Sequence, residues 1–320
     1  MTYALRRLVM FPPILLGVSI LVFVAIRLVP GDAITAMLGT EAGLLTPDQR
    51  AALAVYFGID RPWPAQYAHW IGGVVRGDIG LSVIHGRPVM TVILERFPVT
   101  VELALLSMAV ALAVGLPAGV IAASHPERPV DLATRVAAML GQSTPNFLLG
   151  LVLIFVLSVG FGISPNIGLH VPFFESPLAN LREMVLPAIT LGSAFAASVM
   201  RTTRSTMLDV LGDDFVRTAR SKGVAEPGVI WKHAFPNALI PVVTLIGVEF
   251  GYLLGGAVIV EELFALPGLG RLVLNAITQR DYALVQGGVL FIAFNFMAVN
   301  LLVDLAYAAL DPRIRLGSKR

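Results

Sequence analysis

Long apolar runs dominate this chain, and few environments accept them. About 18 or more consecutive apolar residues match the hydrocarbon core of a bilayer, whereas helices of soluble cores are shorter or striped with polar residues. Six spans can be drawn, approximately Leu8–Leu28, Val99–Ala123, Leu132–Ile163, Val185–Met200, Ala238–Ile259 and Ala283–Leu310. Composition agrees. Of 320 residues, 56% are hydrophobic and 14% are charged, against roughly a quarter charged in a soluble domain. Mean hydropathy is +0.80. The expected fold class is an all-α integral membrane protein.

The first run follows Arg6 and Arg7 and continues past Pro12 and Pro13 without a small-residue cleavage site, so it is expected to remain as span one. The third run is too long for one straight crossing and contains Pro145. A kink there, or an interfacial helix leading into a span beginning near Phe147, would absorb the excess. The fourth is short and rich in small residues. Arg128, Arg135, Arg201, Arg204, Arg217, Arg220, Lys222 and Lys232 fall on the side of the two termini, which the positive-inside rule makes cytoplasmic.

The expected division is residues 1–29 for the N-terminus and span one, 30–98 for an outer loop, 99–310 for the core and 311–320 for a cytoplasmic tail. In the outer loop Thr46-Pro47-Asp48-Gln49 has the form of a capping box that opens a helix, and Trp63, Tyr67 and Trp70 suit a membrane interface. Within the core, the cytoplasmic loop 201–235 is the most informative segment. Asp213 can cap a short helix running through Lys222, and Gly223 stands where a left-handed residue ends one. Pro227 can open a second helix running to Pro236. Spacing alone fits a solvated, charge-laced connector equally well.

The segment Asp214-Phe215-Val216-Arg217-Thr218-Ala219-Arg220-Ser221-Lys222-Gly223-Val224 resembles the coupling segment of ATP-binding-cassette importer permeases. That family pattern reads Glu-Ala-Ala, three residues, Gly, nine residues, then Ile-x-Leu-Pro. Ala219, Gly223 and Pro236 match it, while Arg217, Thr218, His233 and Phe235 depart in the manner of the dipeptide, oligopeptide and nickel subfamily. Further similar stretches are Arg76–Gly80, Gln142–Phe147, Leu186–Leu191, Leu254–Glu261, Leu266–Arg271 and Asp311–Leu316, and the long loop after span one resembles the first of two paralogous permeases.

The resemblance implies the six-helix type I importer permease architecture, with a coupling helix between spans four and five that docks on a cytoplasmic ATPase. It further implies a paralogous second permease, two ATPase subunits, an extracytoplasmic substrate-binding protein and a bacterial inner membrane. Phe215, Val216 and Ala219 would form the apolar tip of the docking contact, and Asp214, Arg217, Arg220 and Lys222 its charged surround. The chain has no Gly-x4-Gly-Lys-Ser/Thr phosphate loop. No cofactor is therefore expected on it, and ATP and magnesium would sit on the partner ATPase. The implied cargo is a di- or oligopeptide, with a nickel chelate or a glutathione-like solute as alternatives.

Gly247, Gly251 and Gly255 recur at a spacing that lets helices approach in lipid, and a packing seam is expected there. Glu249 points away from that stripe, either into a polar path or toward a buried partner. Asn146, Ser193 and Asn295 are candidates for the same path, although interhelical hydrogen bonding explains each equally well. Glu102 and Asp304 lie near span ends. Glu261 and Glu262, with Pro267–Gly270, suggest an outer loop that gates or meets a binding protein.

His69, His85, His125, His170 and His233 are scattered, so no metal site is expected, and the zero cysteine count excludes thiolate chemistry. Basic residues in loops rather than a stripe exclude nucleic-acid binding. Rival classes are an ion-coupled secondary transporter, which needs inverted repeats and paired ionisable residues in spans, and an intramembrane enzyme, which needs a catalytic set. Neither pattern is clear.

Overall fold

A computed structural model describes residues 3–28, 33–56, 58–163 and 170–310. Helices α1 (Tyr3–Leu28), α2 (Ala33–Leu38), α3 (Pro47–Tyr56) and α4 (Trp63–Val75) come first. They are followed by α5 (Val89–Ser124), α6 (Pro129–Ser143), α7 (Asn146–Phe155), α8 (Pro177–Leu211) and α9 (Asp214–Ser221). Last come α10 (Glu226–Gly228), α11 (Phe235–Gly256), α12 (Val258–Leu263), α13 (Leu269–Thr278) and α14 (Tyr282–Leu310). Among the described residues five helices are long and apolar enough to cross a membrane, and the bent pair α6–α7 makes a sixth when counted as one span. The stretch Asp311–Leu316 and the side chain of Asp304 lie outside the described residues.

The expected spans exist, with altered ends. The apolar excess of the third is absorbed by a 103° bend between α6 and α7. Pro145 causes it: the proline holds Thr144 extended (ψ 120°) and cannot donate to a continuing helix. Span four is a 35-residue helix rather than the short segment expected. At about 50 Å it exceeds a bilayer core, so Arg201 and Arg204, expected in a loop, continue the helix. Pro236 does not end the second helix expected in the 201–235 segment. It occupies the first turn of α11, where no donor is needed, and the chain runs from Glu226 through a wide π turn, Val229–Ala234, straight into span five. Span five stops at Gly256, and Ile259 belongs to α12.

The chain forms two compact units. The first joins Met1–Thr100 to Pro267–Met297, so residues 267–297 cluster with the N-terminal region rather than with the rest of the expected core. Its outer stretch is mostly helical. Thr46 and Gln49 form the reciprocal capping box, with Thr46 N–H to Gln49 Oε1 at 2.9 Å and Gln49 N–H to Thr46 Oγ1 at 3.3 Å. Span one leans on α4 through Phe23, whose ring lies 5.2 Å from Tyr67 edge-on and 6.1 Å from Trp70.

The core of this unit gathers Val22 and Ile26 of α1, Val89, Val92 and Ile93 of α5, Leu269, Leu272 and Val273 of α13, and Leu284 of α14. All three α5 residues of that cluster, Val89, Val92 and Ile93, precede Val99, which explains why the helix begins so early. Arg76–Gly80 is a helix stop: Gly77 (φ +85°) lets Asp78 N–H reach Gly73 O at 2.9 Å and Gly77 N–H reach Val74 O at 3.0 Å. Asp281, fully buried, accepts from Leu284 N–H to cap α14 and from Ser82 Oγ–H at 2.5 Å to fasten the Ser82–Gly86 turn.

The second unit joins Val101–Leu266 to Ala298–Arg320. Here α5 and α8 touch backbone to backbone. A Cβ at Gly115 would sit 2.7 Å from Ala196 O, one at Gly119 would sit 2.6 Å from Thr203 Cβ, and one at Gly192 would sit 2.5 Å from Ser107 O. Gly150 of α7 meets Thr190 and Leu263 in the same way. Of the expected stripe in span five, Gly247 packs on Val303 of α14 and Gly251 is buried, while Gly255 is exposed. The approach is close at Gly247 and open at Gly255. Arg204 clamps Asp131 of α6 with two hydrogen bonds, 2.6 and 2.7 Å, and Asp131 also accepts Glu127 N–H.

Two predictions follow from this packing. Asp131→Ala leaves a guanidinium without its counter-charge and should cost about 3–5 kcal/mol, read as a lowered thermal midpoint in detergent, with Arg204→Met in the same chain restoring most of it. Gly119→Leu should prevent recovery of folded protein, whereas Gly17→Ala, with nothing within 4 Å of its Cβ, should leave the midpoint unchanged or higher.

Candidate functional site

The segment between α8 and α11 folds as the residues there require. Asp213 stands at the N-cap of α9 with extended backbone, and its carbonyl, not its side chain, accepts from Val216 and Arg217 N–H at 3.1 and 3.2 Å. The expected side-chain cap is absent. At the other end Gly223 is left-handed (φ +80°), so Gly223 N–H bonds Arg220 O at 3.0 Å and Val224 N–H bonds Ala219 O at 3.2 Å. That pair of bonds closes the helix and turns the chain back.

The strong two-sidedness of α9 then sorts its residues. Val216 and Ala219, three apart and so on one face, are buried with Val229, against Val210 and Leu211 at the end of α8. The expected apolar tip is therefore corrected: two of its three members fasten the helix to its own chain, and only Phe215 (43% exposed) is presented outward. Arg217, next to Asp214 at 3.3 Å, is largely exposed, and Lys222 is exposed. Arg220 pairs with Glu226 at 2.6 Å and bridges α9 to α10. The hydrogen bond to that carboxylate pushes the Arg220 guanidinium up from its ordinary value, so it stays charged.

Val224, the last residue of the resembling stretch, also lies outward, as does Trp231, which sequence reasoning passed over. Trp231 stands edge-on to Phe235 at 5.2 Å, and it lies on the wide turn Val229–Ala234 that no residue pattern signals. The neighbouring cluster of Val120, Ala123, Met207, Ala234 and Ala238 ties the same turn to α5 and α8. An exposed helix is thus bolted by one buried face to two long helices.

The candidates for a polar path are not brought together. Ser193 donates to Thr190 O on its own helix at 3.0 Å, and Asn295 donates to Phe291 O at 2.8 Å, so each makes one hydrogen bond within its own helix. Glu249 is half-buried on α11, Asn146 opens α7, and no hydrogen bond joins any two of the four. Glu261, expected in an accessible outer loop, is fully buried within α12. Glu183, which the sequence did not single out, accepts Val171 N–H at 3.0 Å with His170 3.5 Å away, and Asn180 holds the same residue's carbonyl.

The model of the family described as binding-protein-dependent transport system inner membrane component matches residues 115–316, and that of its N-terminal component matches residues 1–104. A Brucella abortus protein named as a peptide transport system permease is 42% identical over 97% of this chain and 98% of its own length. The glutathione transport system permease protein GsiC of Escherichia coli is 40% identical over 98% of this chain and 99% of its own. Among solved structures, the inward-facing MetNI methionine ABC transporter aligns with a TM-score of 0.56 at 17% identity, over 69% of this chain and 97% of that one. At that identity the likeness speaks for the fold, a type I importer permease. The chain belongs to the inner-membrane permease family of binding-protein-dependent, ATP-binding-cassette import systems.

Proposed function

We propose that this permease imports short peptides or a solute of glutathione's kind, and that α9 is the point where a separate ATPase drives it. In such systems ATP is hydrolysed on the partner ATPase, and a substrate-binding protein delivers the cargo. The observation that carries the reading is the division of α9 into a buried face (Val216, Ala219) and an outward face (Phe215, Arg217). A helix held in this way passes a push to α8 and α11 together, because Val216 and Ala219 share one cluster with Val229 and the end of α8. Phe215 supplies the apolar anchor in the ATPase groove, and Arg217 and Lys222 orient it electrostatically.

The peptide reading leans on the names of the two curated relatives, both of which cover nearly the whole chain. A nickel chelate has no such support from them. The full assembly we infer has a paralogous second permease, two ATPases and both termini in the cytoplasm, where Arg201, Arg217, Arg220 and Lys222 then also lie, as the positive-inside rule requires. Glu249, Asn146, Ser193 and Asn295 stay candidates for the path through the membrane.

Phe215→Asp should lower ATP-driven peptide uptake in proteoliposomes by about tenfold or more, the loss typical of a central contact, with the protein still inserted and folded. Val216→Asp should instead lower the yield of folded protein, because it buries a charge in the fastening cluster. Equal uptake by Phe215→Asp and the parent would sink the docking role. Gly223→Val forces a branched side chain into left-handed backbone at a cost of about 1–2 kcal/mol. It should reduce uptake while substrate-independent ATPase activity persists, which a coupled-hydrolysis assay reads directly.

A further inference from the structure

The 103° bend at Pro145 turns α6 away from α7, and the register of α6 on α8 says where it then lies. Asp131, near the start of α6, is held by Arg204. Gln142, near its end, donates to Ser198 Oγ at 3.0 Å and accepts from Arg201 Nη1 at 2.8 Å. Between those two ties α6 advances about 16 Å along its own axis, while its partners on α8 cover only about 9 Å. The helix therefore crosses α8 at a slant, confined to a thin layer around Arg201.

That layer has a definite depth. Arg182 and Arg201 are both exposed on α8, and no charged residue lies between Glu183 and Arg201. The two arginines stand about 28 Å apart along the helix, close to the roughly 30 Å of a hydrocarbon core. Arg201 thus marks one edge of that core, the cytoplasmic edge in the orientation inferred above. By the same rise per residue, Arg204 and its partner Asp131 lie roughly 5 Å outside the edge. Gly141, packed on Ala197, lies about 6 Å inside it.

The face that α6 turns away from α8 suits this depth. Leu132, Val136, Met139 and Leu140 recur at helical spacing on one side, and they are 45–69% exposed. Arg128, just before the helix, and Arg135, in its first half, are exposed toward the shallow end, and Asp131, the one carboxylate of α6, is buried. Long basic side chains at that level reach the phosphate layer while apolar neighbours enter the acyl chains. Contacts between helices are built differently in this chain. Small residues make the seams of lipid-embedded helices, as the glycines between α5 and α8 do, and the glycine of α6, Gly141, faces α8. The large side chains on the opposite face offer a second protein no such seam.

We propose that α6 is an interfacial foot, with its outer face in the acyl-chain boundary of the cytoplasmic leaflet and Arg128 and Arg135 among the phosphates. The partner of this face is the phospholipid surface. Because Arg204 ties α6 to α8, the foot holds the α9 end of α8 at a fixed depth. That placement rests on the orientation inferred above, and on neither the cargo nor the docking of α9.

The chain has no cysteine, so a single introduced cysteine can carry the only nitroxide label. Arg128→Cys, Leu132→Cys, Val136→Cys and Met139→Cys are each labelled in the full-length chain. They are reconstituted in phosphatidylcholine–phosphatidylglycerol vesicles, alone and together with the subunits that co-purify with the chain. Electron paramagnetic resonance compares collisions with oxygen, which concentrates in the bilayer, and with a neutral nickel chelate, which stays in water. The oxygen-to-nickel ratio should be below one at position 128, rise through 132 and 136, and exceed one at 139, because α6 descends into the membrane along its length. All four positions are exposed, and loss of one variant to poor folding leaves the gradient readable from the others. Nickel collisions that dominate at 139 would place the face on an aqueous path. Few collisions of either kind at 136 and 139 in the assembled transporter would give the face to a second subunit. Either result overturns the proposal, and both leave peptide uptake and the role of Phe215 to their own assay.

Discussion

In a bilayer, helices gain nothing by hiding apolar surface from one another, so what joins them is close contact and polar pairing. In this permease that constraint is met most fully between α5 and α8, where Gly115, Gly119 and Gly192 bring backbone against backbone. Much of the second unit is referred to α8. It carries α6 through Asp131 and Arg204, α7 through Gly150 and Thr190, and α9 through Val210 and Leu211. Adding one methylene at the α5–α8 contact displaces the axis that positions all of these.

The segment proposed here as the coupling helix shows how a surface contact can be made mechanically useful. A contact helix on a loose loop would absorb motion. Here the helix is closed by Gly223, pinned by Arg220 to Glu226 and packed by Val216 and Ala219 into the base of two long helices. The wide turn Val229–Ala234 continues into α11 without a break in the helix. Rigid attachment on the buried face and chemical variety on the outer face are separate demands, and alternate residues of one short helix meet them.

Much of this was legible in the sequence because its causes are local. Apolar runs located the spans, the Thr46–Gln49 box opened α3, Pro145 placed the bend, and Gly223 ended α9 where a left-handed residue was expected. What failed depended on distant partners. Arg204 reads as a loop charge until Asp131 is brought against it across 73 positions. Val216 and Ala219 read as a docking tip because their own-chain partner, Val229, lies beyond the glycine turn. The outer stretch read as a loop because α13 and α14, which complete its core, come nearly two hundred residues later, about the separation of Ser82 from Asp281, 199 positions. Gly115 and Gly119 carry the same four-residue spacing as the stripe in span five, and only their neighbours reveal them as the tighter contact.

The length of α8 has a geometric consequence. A continuous helix of 35 residues is a stiff rod of about 50 Å, gripped near its middle by Gly115 and Gly192 and attached at its far end to α9, the segment proposed above to meet the ATPase. Such a rod is a lever with a fulcrum. A rotation of about 5° about that grip sweeps the tip, roughly 28 Å away, through about 2 Å. Small angular adjustments at a tightly packed glycine contact can thereby answer displacements of ångström size at the far end, with no residue along the rod changing its conformation.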